Sequence, residues 1–235
     1  MAGQPLSIWI TRAEPGASDT AERVAAHGHR AVVAPLLALE RLPAPYIDLH
    51  DVKALAFTSA NAVRAFAAAS PERDFRVFAV GAATATAAKA AGFRALLSGD
   101  GDVAALTARI ATRKLELKGG VVLHPGALQP AGDLVGALAH VGIEARALPL
   151  YDSVAAPLAP EFLATLPELD IVMLHSPKAA RILAKVLRKH PAPQLRAFCL
   201  SAAVARPLAQ SELAERVASP IPFEAALLNL IDRKA

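Results

Sequence analysis

Short apolar runs alternate with amphipathic segments along the whole chain. The apolar runs predict buried strands and the amphipathic segments predict helices. The predicted strands cover residues 6–11, 30–34, 54–58, 76–80, 94–97, 120–124, 144–148, 171–175 and 196–200. The predicted helices cover residues 18–27, 59–69, 83–91, 103–112, 131–141, 178–188, 202–210 and 222–233, with Ser18 or Asp19 capping the first. Such alternation is typical of α/β proteins with parallel sheets.

The pattern repeats at about half the chain length. The similar pairs of segments are 8–12 with 121–125, 28–36 with 142–150, 55–59 with 172–176, and 77–85 with 197–205. Their order is kept while the offset grows from 113 (121 − 8) to 120 (197 − 77), as loop insertions would make it. The repeat predicts two similar α/β lobes with a cleft between them, where a ligand would bind.

Two extended, proline-rimmed segments follow the second strand of each copy, at residues 37–45 and 149–157. If both cross between the lobes, one lobe combines residues 1–36 with 155–235 and the other covers residues 40–150. Residues 37–40 and 150–155 would then form a two-stranded hinge.

Composition narrows the class of protein. Of the residues, 54% are hydrophobic and the mean hydropathy is +0.36, enough for two buried cores. The single cysteine, Cys199, lies in an apolar run, which favours a buried thiol and a reducing compartment. No secretory leader or membrane span is evident, so we expect a cytoplasmic protein.

The charge pattern argues for a small anionic ligand. The formal net charge is +4, but the basic residues are scattered and only 5% of residues are aromatic. A nucleic-acid surface would cluster both kinds of side chain, so we expect no nucleic-acid partner. A ligand that carries many carboxylates suits this charge better.

Two strand–turn–helix motifs have the geometry of anion sites. In residues 57–63, Ser59 or Asn61 can cap the helix, and the first helical amides stay free for an anion. Residues 174–180 repeat this turn with Ser176, and Lys178 adds a charge. Simple helix capping would explain either motif alone, but finding the turn twice favours binding.

Other candidates lie at equivalent strand ends. Gly81 leaves room for close approach of a ligand, and Thr84 can donate to a carboxylate or bond to its own backbone. Arg12 is either a carboxylate clamp or a surface charge. Tyr151 is either a hydrogen-bond donor to a leaving oxygen or a packed linker residue. His124 is expected to be structural.

Several known site signatures are absent from the sequence. It contains no phosphate-binding glycine–lysine loop, no dinucleotide fingerprint, no nucleophile elbow and no cysteine–histidine metal spacing. We therefore expect neither a nucleotide nor a metal.

Together these motifs resemble the uroporphyrinogen-III synthase family over nearly the whole chain. The similar residues are Thr11 and Arg12 with segments 57–63, 80–85, 148–151 and 175–179. The resemblance implies two α/β lobes joined by a two-stranded linker, and an enzyme without a cofactor. It implies a hydro-lyase of haem biosynthesis that closes hydroxymethylbilane with inversion of the last pyrrole ring and loss of water. The upstream hydroxymethylbilane synthase is then a candidate partner, and a monomer is sufficient.

The resemblance also implies roles for particular residues. Tyr151 would assist departure of the hydroxyl, an expectation for which replacement by Phe is the test. Substrate carboxylates would be bound at the turns and by nearby cations, at Arg12, Ser59, Asn61, Arg64, Gly81, Thr84, Ser176 and Lys178. Orientation of a flexible chain would be the main catalytic task.

Two positions depart from the family pattern. Val204 stands where a hydroxyl residue is usual, and His124 stands where an arginine is expected. These departures keep open a non-catalytic, two-lobed binding or sensor module of the same fold.

Overall fold

The chain forms two structural units that are connected twice. The computed structural model describes residues 4–43, 46–99 and 101–233. Unit 1 combines the chain up to Ala38 with the chain from Val154 onwards, and unit 2 covers Leu39–Ser153. Residues 44 and 45 of the predicted linker 37–45 lie outside the described residues. The same holds for residues 1–3 and 234–235 of the predicted lobe that combines 1–36 with 155–235.

The described strands and helices follow the predicted order. The strands are β1 (Ser7–Ile10), β2 (Arg30–Val33), β3 (Leu37–Arg41), β4 (Val52–Phe57), β5 (Arg76–Ala79), β6 (Leu96–Ser98), β7 (Val121–Ala127), β8 (Ala145–Ala155), β9 (Ile171–Leu174), β10 (Arg196–Cys199) and β11 (Glu215–Ala218). The helices are α1 (Gly16–Ala26), α2 (Ala60–Ala69), α3 (Ala82–Ala90), α4 (Val103–Ala111), α5 (Leu134–His140), α6 (Pro160–Ala164), α7 (Pro177–Lys189), α8 (Ala202–Ala205) and α9 (Glu224–Asp232). Short 3₁₀ turns cover Lys114–Leu117, Leu166–Glu168 and Arg206–Leu208.

The two sheets have matching strand orders. Unit 1 is ordered β2-β1-β9-β10-β11, and unit 2 is ordered β8-β7-β4-β5-β6 with β3 added beside β8. Within each matching set the neighbouring strands are parallel. Each similar pair of segments found in the sequence occupies the same place in the two sheets. The prediction of two parallel-sheet α/β lobes is confirmed.

Both connections between the units are strands. The Leu42 amide donates to the Leu150 carbonyl and the Ala156 amide to the Leu36 carbonyl, each at 3.0 Å, so β3 and β8 run antiparallel. The sequence-based prediction ended the second of these strands at residue 148, but β8 continues to Ala155. It passes Pro149 by an irregularity in its pairing with β7, where Gly126 pairs with Pro149 and Ala127 with Tyr151. The bulge accommodates a proline that would break a regular ladder.

Alternating side chains fill a core on each face of each sheet. In β1, Trp9 packs on one side while Ile8 and Ile10 pack on the other. In β4, Leu55 and Phe57 face one core, and Ala54 and Ala56 face the second. Strands covered on both faces must be apolar throughout, which explains the continuous apolar runs in the sequence.

Several predicted details are wrong. Helix α1 begins at Gly16, so Ser18 and Asp19 lie inside it, and Ser18 bonds to Glu14 instead of capping. Helix α5 begins at Leu134, because Asp133 accepts the Gly136 amide and caps it there.

The C-terminal region also differs from the prediction. The helix predicted for 202–210 ends at Ala205 and continues as a 3₁₀ turn that contains Pro207, which cannot donate a helical hydrogen bond. The short helix α6 and the edge strand β11 were not predicted. The side chains of β11 alternate between half-buried and exposed, so it lacks the apolar run of an inner strand.

Candidate functional site: two sets of strand-end turns

In unit 2 the turns after β4 and β5 lie side by side. These strands are parallel and in register, with Phe57 opposite Ala79. Ser59 and Gly81 each follow two residues after those strand ends and stand immediately before α2 and α3. Both turns therefore open on the carboxyl edge of the sheet, the usual ligand edge in α/β proteins.

Ser59 caps helix α2. Its backbone is extended, and its Oγ accepts the Ala62 amide at 3.1 Å. Asn61, the alternative cap in the sequence, lies inside the helix and accepts a hydrogen bond from Arg64 Nη1 at 3.1 Å. Capping by Ser59 consumes only the third amide of the helix. The Ala60 and Asn61 amides donate to no described residue, so they can still bind an anion.

Tyr151 lies beside this turn. Its ring packs in the core beneath α2, the residue is only 7% exposed, and its Oη lies 3.1 Å from Ser59 Oγ. Burial raises the pKa of Tyr151, against the opposing effect of the hydrogen bond with Ser59. The phenol therefore keeps its proton at neutral pH, as a hydrogen-bond donor or general acid must.

The Gly81 turn is open. Gly81 is extended, with φ −174°, and a Cβ placed there would meet no atom within 4 Å. The backbone thus does not require glycine, and the space above it is free. Thr84, in the first turn of α3, is 4% exposed, and its hydroxyl bonds to no described residue. Thr20 and Thr107, one turn into α1 and α4, differ from it because each donates to the carbonyl four residues earlier, that of Gly16 and that of Val103.

His124 is a buried neutral residue of the β7 strand. Its Nδ1 lies 2.8 Å from the Ala56 carbonyl oxygen, and the residue is 4% exposed. Burial lowers the pKa of His124, although the bond to the carbonyl opposes this shift. A neutral imidazole in this position cannot supply the charge of the arginine that the sequence resemblance leads us to expect there.

Unit 1 repeats the pair of turns with other side chains. Leu174 in β9 is opposite Cys199 in β10, and Ser176 and Ser201 follow two residues after them. Ser176 accepts the Ala179 amide at 3.1 Å, as Ser59 does in unit 2, and Lys178 is the second residue of α7. Ser201 makes no side-chain cap, and Val204 is buried in the core.

Arg12 stands at the equivalent place after β1, where it is already bound to a carboxylate. Its Nη1 lies 2.6 Å from Glu224 Oε2, at the start of α9, and 3.2 Å from Thr20 Oγ1. Arg23 Nη1 holds the other oxygen, Oε1, at 2.8 Å. His175 Nε2 lies 3.3 Å from Oε2. Arg12 is therefore not a plain surface charge, and its bonds to described residues use Nη1 alone.

The charges in this cluster follow from its surroundings. Burial would raise the pKa of the Glu224 carboxyl, but the contacts with His175 and the two arginines lower it. Burial lowers the pKa of His175 despite the carboxylate beside it. At neutral pH the cluster holds two guanidinium groups, one carboxylate and one neutral imidazole, so one positive charge remains.

Nothing in the sequence indicated Glu224 or Arg23 as partners of Arg12. Glu224 is 212 positions away, in a helix whose pattern indicated only packing. An acidic residue in a first helical turn is commonly explained by the helix dipole. Only the placement of α9 next to the ends of β1 and β9 brings these side chains together.

The described part of the chain contains neither a cluster of metal-ligating side chains nor a membrane-spanning helix. Across residues 4–43, 46–99 and 101–233, no cluster of three or more histidine, cysteine or acidic side chains could hold a metal. In the same ranges no helix is both long and apolar enough to cross a membrane. Cys199 is buried as expected, and burial raises its thiol pKa to about 12, so it is no nucleophile.

The fold and the turns define a class of protein: two duplicated parallel α/β units with helices that start at the strand ends. Within this class, the family described as uroporphyrinogen-III synthase HemD matches residues 18–229. The chain therefore belongs to the uroporphyrinogen-III synthase HemD family.

Solved structures show the same fold. The uroporphyrinogen-III synthetase of Helicobacter pylori 26695 is 16% identical, with a TM-score of 0.65, and the match covers 99% of this chain and 100% of that one. A mutant uroporphyrinogen III synthase of Thermus thermophilus is 20% identical, with a TM-score of 0.55, covering 97% of this chain and 98% of that one. Comparison with curated proteins gives no match.

The two capping serines provide a test of the Tyr151 contact. Ser176→Ala should lower the free energy of unfolding by about 1 kcal/mol, the usual value of a lost cap. Ser59→Ala should cost about 1 to 3 kcal/mol more, because the buried Tyr151 hydroxyl also loses its partner. Urea titrations followed by circular dichroism measure both. The additional loss of stability in Ser59→Ala should vanish in a Tyr151→Phe background. Equal losses from the two serine variants would contradict the hydrogen bond between Tyr151 and Ser59.

Proposed function

We propose that this protein is an active uroporphyrinogen-III synthase. It converts hydroxymethylbilane to the asymmetric macrocycle, with loss of water and inversion of the last pyrrole ring, and it needs no cofactor. Membership of the family supports the reaction class. The single observation that carries the proposal is the protonated Tyr151 hydroxyl held by Ser59 beside helix-start amides that keep their hydrogen-bonding capacity.

The strand-end turns bind substrate carboxylates. Helix-start amides suit carboxylates because several N–H groups converge there and the helix dipole favours negative charge. In unit 2 these are the amides next to Ser59, Asn61, Gly81 and Thr84. In unit 1 the Ser176 turn offers its hydroxyl instead, because Pro177 has no N–H and the Ala179 amide already donates to Ser176 Oγ. Lys178 and Arg12 add charge. The net charge of +4 favours approach of an octacarboxylate.

Tyr151 assists departure of the substrate hydroxyl. Protonation of that oxygen converts it to water, and the bilane becomes an azafulvene cation. The substituted carbon of the last pyrrole then attacks to form a spiro intermediate, which opens and recloses with the ring inverted. The phenol is protonated at neutral pH, so it can donate a hydrogen bond or a proton to the leaving oxygen. Ser59 fixes its direction.

The remaining task is orientation. The bilane also cyclises unaided, to the symmetric isomer, so the enzyme gains most by holding one chain conformation. Amides on rigid helix starts suit this task because they are fixed by the backbone. A potent acid–base pair is not required.

A non-catalytic binding module is the second candidate. Two observations favour it: Val204 offers no donor at its turn, and Arg12 is already paired with Glu224. Such a module would bind the bilane or its products without changing the isomer ratio.

A coupled assay separates the two candidates. Hydroxymethylbilane is generated in situ, this protein is added, and the oxidised uroporphyrin isomers are separated. We expect the type III isomer to dominate. Type I alone, from a folded protein, would remove the synthase and leave the binding module.

Tyr151→Phe should lower kcat by roughly 10- to 100-fold, near the low end of what a general acid contributes, because the hydroxyl also leaves unaided. The measurement is the rate of type III formation at saturating bilane. Tyr46→Phe is the matched control, since Tyr46 is 89% exposed and should change nothing. A wild-type rate in Tyr151→Phe would exclude Tyr151 from the chemistry.

Gly81→Ala should raise KM several-fold while the melting temperature stays unchanged. The extended backbone accepts alanine and the added methyl meets no atom of the protein, so only a ligand would contact it. Gly81→Ser, which copies Ser201 at the equivalent turn, is the companion variant. An unchanged KM in both would mean that no carboxylate approaches Gly81.

A further inference from the structure

We propose that Glu224 is a positioning residue that holds Arg12 ready for a substrate carboxylate. The inference rests on the proposed function and extends it to a residue that the sequence analysis did not identify as part of the site. Glu224 binds one nitrogen of the guanidinium and leaves the rest of the group for the ligand.

The pattern of contacts at Arg12 carries this inference. Both of its hydrogen bonds to described residues, with Glu224 and Thr20, use Nη1. Nε and Nη2 donate to no described residue, and the Arg12 side chain is 36% exposed. Nε and Nη2 form one of the two edges by which arginine binds a carboxylate through paired hydrogen bonds.

Gly16 fixes the orientation of the guanidinium. A Cβ at Gly16 would lie 2.8 Å from Nε and 2.9 Å from both Cζ and Nη2 of Arg12. These nearly equal distances place that position over the face of the group, so the guanidinium lies flat against the backbone at the start of α1. Because glycine has no side chain, residue 16 leaves open the space beside Nε and Nη2 that a Cβ would crowd.

Glu224 is itself anchored. Arg23 binds Oε1 at 2.8 Å while Arg12 binds Oε2 at 2.6 Å, so both carboxylate oxygens are engaged, and the His175 ring lies against Oε2 without a hydrogen bond to it. The Glu224 side chain is 14% exposed, compared with 36% for Arg12. The carboxylate is thus the buried, fixed partner and the guanidinium the accessible one.

These contacts fit a Glu224 that holds Arg12 in place, and not one that competes with a substrate carboxylate for Arg12. A competing carboxylate would occupy the edge that the substrate needs, but Glu224 occupies Nη1 alone. Because Arg23 compensates its charge, a positive charge remains for the ligand. Removing the Glu224 carboxylate would leave the long Arg12 side chain mobile. Substrate binding would then have to order that side chain again, at a cost in free energy.

The test combines steady-state kinetics with direct binding. Glu224→Gln should raise KM for bilane about 5- to 10-fold with kcat within about 2-fold of wild type, since ordering one side chain costs on the order of 1 kcal/mol. The Kd for uroporphyrin III, measured by fluorescence titration, should rise similarly. Asp232→Asn is the matched control: Asp232 is also in α9 and contacts histidines, but lies away from Arg12.

Two companion variants show whether Glu224 acts through Arg12. The double variant Arg12→Ala, Glu224→Gln should bind no more weakly than Arg12→Ala alone. Gly16→Ala should shift the flexible guanidinium, raising KM with little change in melting temperature, and it keeps the test usable if Glu224→Gln folds poorly. A lower KM in Glu224→Gln, or additive losses in the double variant, would overturn the positioning role.

Failure of the two proposals can be told apart. If wild type forms type III isomer but the Arg12 and Glu224 effects are independent, the synthase stands and the positioning role falls. If wild type forms only type I but binds uroporphyrin III with coupled losses, the positioning role stands and the synthase falls. Absence of both activity and binding overturns both.

Discussion

Parallel pairing in register is the constraint on which the candidate site depends. In β4–β5 and in β9–β10 the last residues of neighbouring strands are directly opposite each other. Each chain then turns into a helix two residues later, so the starts of these helices gather at one edge of each sheet. Antiparallel strands would have sent alternate turns to opposite edges and separated Ser59 from Gly81.

The Tyr151–Ser59 contact depends on a further feature of the same sheet. Tyr151 is in β8, two strands away from β4, and its side chain must extend past the end of β7. The residues of β7 at that point are Pro125, Gly126 and Ala127, and Ala127 is directly opposite Tyr151. Small side chains there, with the bulge beside Pro149, let the phenol reach the cap of α2. The proton-holding group and the helix-start amides are therefore close together within one unit.

The two units share their strand order and their strand–turn–helix geometry, but the side chains at their strand ends differ. Thr11 and His124 correspond, and each bonds to a carbonyl of the neighbouring strand, at Met173 and Ala56, yet the next residue is Arg12 in a charged cluster in one unit and Pro125 in the other. The turns after β5 and β10 also correspond, yet Gly81 leaves open space where Ser201 has a side chain. Backbone geometry is shared because both cores require it. Side chains at the strand ends face fewer packing constraints and were able to diverge.

The α/β class, the repeat of strands and helices and most strand positions could be predicted from the sequence, because doubly covered parallel strands need continuous apolar runs. The sequence also narrowed the cap of α2 to Ser59 or Asn61 and indicated that Cys199 is buried. It misplaced the start of α1 and missed β11, where local signals were ambiguous or the strand was at an edge. The contacts between distant side chains could not be predicted in this way. Tyr151 lies within hydrogen-bonding distance of Ser59, 92 positions away, and Arg12 is bound to Glu224, 212 positions away. Such partners follow from strand order and helix placement, which spacing along a chain does not contain.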